Sequence, residues 1–414
     1  MQKRFVDYCD KFNLINRNQF GFQKNKSTSD AILLFTEQCY NNLENRNHLL
    51  SIYLDFSKAF DTVNHQILTS KLRKYGFRGS IDKWFTSYLR DRVQYVEISG
   101  KRSTPKKMEY GAPLGSILGP LLFLLYINDM NKSTSLDLIL FADDSTVIAS
   151  GPNLQRTVSS TNEQLTRLHD WLCANRLSLN ISKSIFSLFT NSRITETPEI
   201  CIGGSQLSYS SCIKYLGMQI DDKINFSQHI KSVCKITRSR AGLLKRLSSS
   251  IPKNVLRNLY SAIIYPHISR DIETWGNSSS TDLNRLKRLM DKCIKIISGS
   301  NIVNDNSYKS LKLLKFDDVY SYFCLVRFYK YYRLEYSEYF EERANSLVIQ
   351  HNYHTRSATN QILNEPRIRL AKTSHSFFKN AVQKWNSLPP SLRNITKLDA
   401  FKINLKTMLL NQYM

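Results

Sequence analysis

Residues 136–149 place two acidic side chains between two segments of strand-forming residues. The segment 136–141 is mostly apolar, the segment 146–148 is β-branched, and Asp143 and Asp144 lie between them. Two such segments joined by a short polar connection predict a β-hairpin with both carboxylates at its tip. Neighbouring carboxylates repel each other, and a bound divalent cation offsets that repulsion. The pattern therefore predicts either a metal site or an ordinary acidic turn.

Two other Asp-Asp pairs bear on the choice between these interpretations. They are Asp221-Asp222 and Asp317-Asp318. The residues after Asp318 have a helical pattern, so this pair predicts a helix start with Asp317 as its cap. Only the pair at 143–144 lies between two strand-like segments, which keeps both interpretations open for it.

The charge of the chain indicates a polyanionic partner. Its 414 residues include 58 Lys and Arg against 34 Asp and Glu, a formal net charge of +24. Such an excess favours binding to nucleic acid first and to an anionic membrane surface second. A membrane-surface protein requires a sustained basic amphipathic helix, which the sequence lacks. No apolar segment of about 18 residues predicts a membrane span.

The eight cysteines are scattered along the chain, with no Cys-x-x-Cys pair and no Cys/His cluster at zinc-ligand spacing. We therefore expect reduced thiols, no zinc site and an intracellular protein. Residues 1–30 carry charge throughout and do not have the pattern of a secretory signal.

The order of elements changes near residue 225. Before it, strand and helix patterns alternate, which predicts an α+β fold, and an apolar strand ends at Asp55. After it, helical patterns dominate, and residues 226–300 contain 14 Lys and Arg but four Asp and Glu. That density favours a surface that follows a phosphate backbone. The aromatic residues at 320–340 have helical spacing, and we expect them in a core rather than on a base-stacking surface.

Several segments together resemble a reverse transcriptase of a non-LTR retrotransposon, close to the jockey-like elements. The matching segments follow the family's order: Gln-Phe-Gly-Phe at 19–22, Leu-Asp-Phe-Ser-Lys-Ala-Phe-Asp at 54–61, Gly-Ala-Pro at 111–113, Gly-Pro-Leu-Leu-Phe at 119–123, Phe-Ala-Asp-Asp at 141–144, Asn-x-x-Lys at 180–183 and Tyr-Leu-Gly at 215–217. The tail around 385–389 is also similar to the ends of such element proteins. One segment would be weak evidence, whereas an ordered set over nearly the whole chain is strong evidence.

The resemblance implies a right-hand polymerase. It places the fingers and palm in residues 1–225, a basic helical thumb in 226–300 and a helical C-terminal extension in 301–414. The palm would be a ferredoxin-like split β-α-β arrangement, with Asp55 and the acidic hairpin on adjacent strands.

The resemblance also implies an RNA-directed DNA polymerase that uses two Mg²⁺ ions. Asp55, Asp143 and Asp144 would bind the ions and carry the catalytic chemistry, and Lys183 would protonate the departing pyrophosphate. The substrates would be dNTPs, and the partners would be an RNA template and a DNA primer in an A-like duplex. We expect such a protein in the nucleus or cytoplasm as a ribonucleoprotein.

Further residues are implied to bind the nucleotide and the primer. Phe60 would reject ribonucleotides by steric conflict with the 2′-hydroxyl group. The implied nucleotide-binding residues are Lys24, Lys26, Phe56, Phe60, Pro113 and Gly115. The residues of the implied primer grip are Tyr215, Leu216 and Gly217.

Two positions depart from the family's pattern. The family has Gln where Leu114 stands, and it favours Arg where Gln23 stands. We expect these departures to weaken catalysis, while the intact carboxylates keep the metal site. A catalytically decayed remnant that only binds nucleic acid is therefore the alternative function.

Two expectations concern related classes of protein. Elements of this family carry an endonuclease upstream of the fingers, so the start of this chain near the fingers segment suggests a partial copy. A group II intron maturase would carry a DNA-binding or zinc-containing C-terminus, and the sequence shows neither.

Overall fold

The computed structural model describes residues 2–113, 115–193, 195–334, 338–348 and 362–413. The chain forms two compact units: unit 1 contains Met1–Ala31 and Arg46–Ser211, and unit 2 contains Ile32–Asn45 and Cys212–Met414. The helix Thr28–Glu44 contributes residues to both units. The functional division into fingers, palm, thumb and extension stays a prediction.

Unit 1 combines helices with strands. Its helices are α1 (Gln2–Lys11), the start of α2 (Thr28–Glu44), α3 (His65–Lys74), α4 (Ser80–Leu89), α5 (Gly119–Ile127), a short 3₁₀ helix (Met130–Lys132) and α6 (Leu154–Ala174). Its strands are β1 (His48–Leu54), β2 (Val93–Gln94), β3 (Glu97–Ile98), β4 (Lys101–Arg102), β5 (Lys106–Lys107), β6 (Asp137–Phe141), β7 (Asp144–Gly151), β8 (Ile185–Phe189), β9 (Cys201–Ile202), β10 (Ser205–Gln206) and β11 (Ser208–Tyr209).

A mixed sheet organises unit 1. Its strand order is β11-β8-β1-β7-β6, and β1 is antiparallel to both β7 and β8. Strands β6 and β7 form an antiparallel hairpin, and β11 runs parallel to β8. Because β7 lies between β1 and β6, these strands form the split β-α-β arrangement that the sequence predicts. The α+β fold class is confirmed.

The core of unit 1 lies around the central strand and an apolar helix. Strand β1 is buried along most of its length, as a strand with neighbours on both sides should be. Helix α5 is buried from Leu121 to Ile127, because it is apolar on every side. Asp55 follows directly after β1, so the buried strand fixes the position of its backbone.

The connection between α4 and α5 differs from the sequence prediction. The alternating pattern at Gln94–Ser99 predicts one half-buried strand, but the structure has the short strands β2 and β3 instead. Val96 is 62% exposed and Ile98 is 71% exposed, so the alternation does not mark a buried face here. The prediction was wrong because, among the described residues, β2 pairs with β5 and β3 pairs with β4, and neither joins the five-stranded sheet.

Unit 2 is mainly helical. It begins with the hairpin β12 (Cys212–Tyr215) and β13 (Met218–Asp221). Its helices, besides the rest of α2, are α7 (Ser227–Leu247), α8 (Lys253–Ile263), α9 (Tyr265–Ser269), α10 (Ile272–Trp275), α11 (Ser280–Ser298), α12 (Asp305–Ser310), α13 (Phe316–Arg333), α14 (Glu338–Asn345), α15 (Phe377–Asn386), α16 (Pro390–Arg393), α17 (Leu398–Asn411) and the 3₁₀ helix Ala371–His375.

The aromatic residues of α13 form part of the core of unit 2. The Tyr329 ring lies 4.5 Å from the Phe401 ring, and the Tyr331 ring lies 4.3 Å from the Phe340 ring, between centroids. Phe328 also packs on Trp385. The expectation that the aromatic residues at 320–340 belong to a core is confirmed for Tyr320, Phe328, Tyr329, Tyr331 and Phe340, whereas Tyr336 lies outside the described residues. Their burial leaves these rings unavailable for stacking on bases.

Two glutamates of α2 fix a later segment of unit 2. Glu37 accepts hydrogen bonds from the Ser376 hydroxyl at 2.9 Å and from the Phe377 amide at 2.6 Å. Burial raises the pKa of Glu37 to about 7, although these hydrogen bonds lower it. Glu44 accepts hydrogen bonds from the Arg369 amide and the Thr373 hydroxyl.

Within the described residues, no helix is both long and apolar enough to cross a membrane.

Candidate active site

The acidic hairpin has a two-residue loop. Phe141 pairs with Asp144, which leaves Ala142 and Asp143 as the loop residues. Ala142 has φ = 55°, a value in the left-handed region. A positive φ at the first loop residue is what a type II′ turn requires, and glycine is the usual residue there. A left-handed alanine costs roughly 1–2 kcal/mol, so surrounding contacts must hold this loop in place.

The strand register brings Asp55 to the same end of the sheet as the hairpin loop. Leu54 pairs with Ser145, so Asp55 and Asp144 occupy neighbouring positions at the end of β1 and β7. The pKa of Asp144 is raised, first by desolvation and then by the negative charges of Asp143 and Asp55. The structure therefore brings the three sequence-predicted carboxylates together. Their catalytic role stays a prediction.

The same carboxylates offer oxygen ligands of the kind that Mg²⁺ prefers. Among the described residues, no three Asp, Glu, His or Cys side chains already form a group that could hold a metal ion. The mutual repulsion at Asp55, Asp143 and Asp144 is nevertheless the kind that a divalent cation offsets. The chemistry of this donor set therefore fits a metal that enters with phosphate ligands rather than one held by a complete protein shell.

We expect Asp144→Asn to raise the melting temperature at neutral pH. The pKa of Asp144 is raised in the folded protein, so its ionised form destabilises the fold above that pKa, and the amide removes this effect. The difference in melting temperature between the variant and the parent should disappear as the pH falls below the ordinary aspartate pKa. Below that pH, Asp144 is protonated in both the folded and the unfolded state. Calorimetry from about pH 8 to about pH 3 measures it. The control is Asp170→Asn in α6. A lower melting temperature for Asp144→Asn at neutral pH would contradict the destabilising effect of the ionised Asp144 carboxylate.

A turn at residues 178–184 holds the backbone of Asp55. The Asp55 amide donates to the Ser184 hydroxyl at 3.1 Å, and the Asn180 amide donates to the Asp55 carbonyl at 2.8 Å. The Ser184 hydroxyl in turn donates to the Asn180 carbonyl at 2.9 Å. Lys183 is an exposed residue of this turn, so the turn links its position to that of Asp55.

The loop before α5 joins the segment that follows Asp55. The Ala112 amide donates to the Phe60 carbonyl at 2.8 Å, and the Gly111 amide donates to the Val63 carbonyl at 2.8 Å. The half-buried Phe60 ring lies 4.4 Å from the Phe123 ring, between centroids. The other predicted nucleotide residues in these segments are the buried Phe56 and Pro113 and the exposed Gly115.

The predicted phosphate ligands of the fingers differ in their surroundings. Lys24 is exposed. The Lys26 ammonium donates to the Gln19 carbonyl at 3.0 Å and lies 5.2 Å from the centre of the Phe20 ring. Gln23, one of the two departures from the family, is half-buried. Leu114, the other departure, lies outside the described residues.

The predicted primer grip forms the turn of the hairpin in unit 2. Tyr215 pairs with Met218, and both turn residues have positive φ, 46° at Leu216 and 94° at Gly217. Arg270 donates to the Leu216 carbonyl at 3.1 Å. The structure therefore shows a fixed turn at 215–218, and its role toward a primer stays a prediction.

Sequence reasoning gave no role to two residues of unit 1 that contact the backbone of Asp55 or of the hairpin loop. One is Ser184, whose hydroxyl contacts the Asp55 backbone. The other is Gln19, which is 2% exposed and accepts a hydrogen bond from the Ala142 amide at 3.0 Å. Gln19 is the first residue of the Gln-Phe-Gly-Phe segment that resembles the family, but the resemblance implied no role for its side chain.

The chain is similar in sequence to curated polymerases of mobile elements. The chain is 26% identical over 310 residues to "RNA-directed DNA polymerase from mobile element jockey" of Drosophila melanogaster. The aligned residues cover 72% of this chain and 33% of the relative. It is 29% identical over 297 residues to the protein of the same name from Drosophila funebris, which covers 69% of this chain and 32% of the relative. The chain thus spans about a third of the length of these curated relatives.

A solved structure and a family model complete the comparison. The match to the solved structure described as "Structure of apo telomerase from Candida Tropicalis" covers 75% of this chain and 52% of the telomerase chain, at 12% identity. Its TM-score of 0.43 is too low to define a shared fold. The model for "Reverse transcriptase (RNA-dependent DNA polymerase)" matches residues 1–220. Because that match covers more than half of the chain, the protein belongs to the reverse transcriptase family.

Proposed function

We propose that the protein is an RNA-directed DNA polymerase of a mobile element, which transfers nucleotides from dNTPs to a primer 3′-hydroxyl on an RNA template. The observation that carries this proposal is the meeting of Asp55, Asp143 and Asp144 at one end of β1 and β7. Family membership supports it. The names of the two curated relatives also state an RNA-directed DNA polymerase of a mobile element.

Asp55, Asp143 and Asp144 would hold two Mg²⁺ ions, which stabilise charge on the attacking and leaving oxygens when bound. The turn at residues 178–184 orients Asp55 through its backbone hydrogen bonds. Lys183 on that turn would give a proton to the departing pyrophosphate, since an exposed ammonium can reach a departing phosphate oxygen. Lys24 and Lys26 would bind the triphosphate as point charges.

The exposed face of α7 supports a nucleic-acid partner. Its exposed basic residues are Lys231, Lys235, Arg238, Lys245 and Arg246. The first three follow i, i+4 and i+7 spacing, so they lie on one side of the helix. Such a row can contact successive phosphates without reading the sequence. We propose that it follows the template–primer duplex and that the protein acts inside the cell as a ribonucleoprotein.

We expect Phe60→Val to weaken the discrimination against ribonucleotides. The aromatic ring would meet the 2′-hydroxyl group, and the smaller side chain removes that conflict. The preference for dNTP over rNTP should fall by roughly 10–100-fold, a range that pocket shape can supply. Single-nucleotide incorporation with each substrate measures it. Phe85→Leu is the control, because it removes a buried ring of the same unit; equal loss of discrimination in the control would refute the role of Phe60.

Primer extension on a poly(rA)·oligo(dT) template with Mg²⁺ tests the proposed function. Metal-dependent extension supports it. The departure at Leu114 favours a second candidate, a decayed remnant that binds nucleic acid but does not extend a primer. Extension that appears only in Leu114→Gln would identify a decayed copy on an intact scaffold, and binding without extension in either protein would rule out the polymerase.

A further inference from the structure

We infer that Gln19 is a positioning residue for the acidic hairpin, since its side chain fixes the loop that carries Asp143. The inference rests on the proposed metal role of Asp143. Gln19 lies 123 positions before Ala142, the loop residue whose amide donates a hydrogen bond to the Gln19 side chain. Both residues belong to unit 1.

The Gln19 side chain is almost fully buried and binds two backbone amides. Its Oε1 atom accepts a hydrogen bond from the Gly21 amide at 2.9 Å and from the Ala142 amide at 3.0 Å. Gln19 is 2% exposed, so water cannot replace either bond. An unsatisfied buried amide costs roughly 1–3 kcal/mol, which makes the glutamine oxygen the element that satisfies this loop.

The backbone around Gln19 extends the sheet beyond β6. Gln19 forms a parallel bridge with Leu140, the Phe20 amide donates to the Leu140 carbonyl at 2.7 Å, and the Leu140 amide donates to the Asn18 carbonyl at 2.9 Å. Strand β6 is otherwise at the edge of the sheet. This short added strand therefore covers that edge up to the hairpin loop.

Gly21 brings this added strand against the loop itself. A Cβ atom at Gly21 would lie 2.4 Å from the Ala142 nitrogen and 3.0 Å from the Phe141 carbonyl carbon. Both neighbours are backbone atoms, so they cannot move aside as a flexible side chain would. Only glycine permits the contact.

These contacts explain how an alanine keeps a left-handed conformation. Ala142 has φ = 55°, and a residue with a side chain would relax from this region if nothing opposed it. The Gln19 oxygen fixes the Ala142 amide, and Asp143 is the next residue. Removal of that oxygen should therefore release the orientation of the Asp143 carboxylate without removing any carboxylate.

The test compares two matched glutamine variants, Gln19→Met and Gln164→Met. Gln164 is also buried, and its Oε1 accepts from the Ser135 amide at 2.9 Å and from the Thr134 hydroxyl at 3.3 Å, next to the other end of β6. Both variants lose comparable hydrogen bonds, so we expect similar decreases in stability. We expect Mn²⁺ binding in the presence of a dNTP but no primer, measured by electron paramagnetic resonance, to weaken roughly 10–100-fold in Gln19→Met alone. The kcat for dNTP incorporation should fall by a similar factor, with little change in KM.

A second variant separates positioning from general damage. Gly at position 142 adopts positive φ without strain, so Ala142→Gly added to Gln19→Met should restore Mn²⁺ binding. Equal Mn²⁺ affinity in Gln19→Met and Gln164→Met, measured with the dNTP present, would overturn the inference. A parent protein that binds no Mn²⁺ together with the dNTP would also overturn it. A parent whose Mn²⁺ binding depends on Gln19 but that extends no primer would support this inference and overturn the proposed polymerase.

Discussion

Asp143→Asn should reduce primer extension by roughly 10³-fold or more, because metal ions supply several kcal/mol of transition-state stabilisation and each ~1.4 kcal/mol is a tenfold change in rate. Asp143 occupies the hairpin loop, where its exposed carboxylate adds to the charge that raises the pKa of Asp144. The amide has nearly the same shape but no negative charge. Single-turnover incorporation of one dNTP measures the loss directly.

Asp137→Asn is the matched control for this experiment. Asp137 is an exposed residue at the start of β6, on the same hairpin but at the end remote from the loop. It loses the same charge, so a general effect of net charge on nucleic-acid binding would appear in both variants. Extension by Asp143→Asn at the level of Asp137→Asn would show that the hairpin loop does not carry the chemistry.

Arg327→Met should destabilise unit 2 by about 3–5 kcal/mol, the usual cost of breaking a buried ion pair from one side. The Arg327 guanidinium donates to Glu273 Oε1 from Nη2 at 2.7 Å and from Nε at 2.9 Å. Glu273 is 2% exposed, and desolvation raises its pKa while Arg327 lowers it. Without the arginine, a buried carboxylate remains without its partner charge. Urea unfolding at neutral pH measures the change.

The pH dependence identifies the cause of this destabilisation. In Arg327→Met the folded-state pKa of Glu273 rises further, so the cost should be full above that pKa and should decrease as the pH falls and the carboxyl binds a proton. Adding Glu273→Leu should recover most of the lost stability, since an apolar pair replaces the ion pair. A pH-independent loss, or no recovery in the double variant, would point to lost packing of Arg327 instead.

Local patterns were sufficient to predict the separate elements that carry Asp55, Asp143 and Asp144, but not how these elements meet. The apolar segment before Asp143 and the β-branched segment after Asp144 predicted a hairpin, and the apolar segment before Asp55 predicted a buried strand. Their adjacency followed from the family resemblance rather than from periodicity. The register between Leu54 and Ser145 is a long-range property that local pattern does not contain.

The two main failures of sequence reasoning have different physical causes. The segment at Gln94–Ser99 alternates like a half-buried strand, but all of its residues are exposed, so the alternation does not mark a buried face. Gln19 belongs to a segment that resembles the family, but its role was not predicted, because one polar residue in an aromatic segment has no period that indicates its contacts. Its importance depends on a hydrogen bond to Ala142 that only the folded chain reveals.

The interleaving of the two units along the chain has a consequence for biosynthesis. Residues Ile32–Asn45 belong to unit 2, but the rest of that unit begins only at Cys212. The Ser376 hydroxyl that binds Glu37 follows it by 339 positions, so a ribosome working at 5–20 residues per second needs roughly 20–70 s to deliver it. During that time the Glu37 carboxylate, which is 2% exposed in the finished fold, cannot form this hydrogen bond. Chaperone supply during synthesis should therefore govern the yield of this protein, whereas refolding of the complete chain avoids the delay.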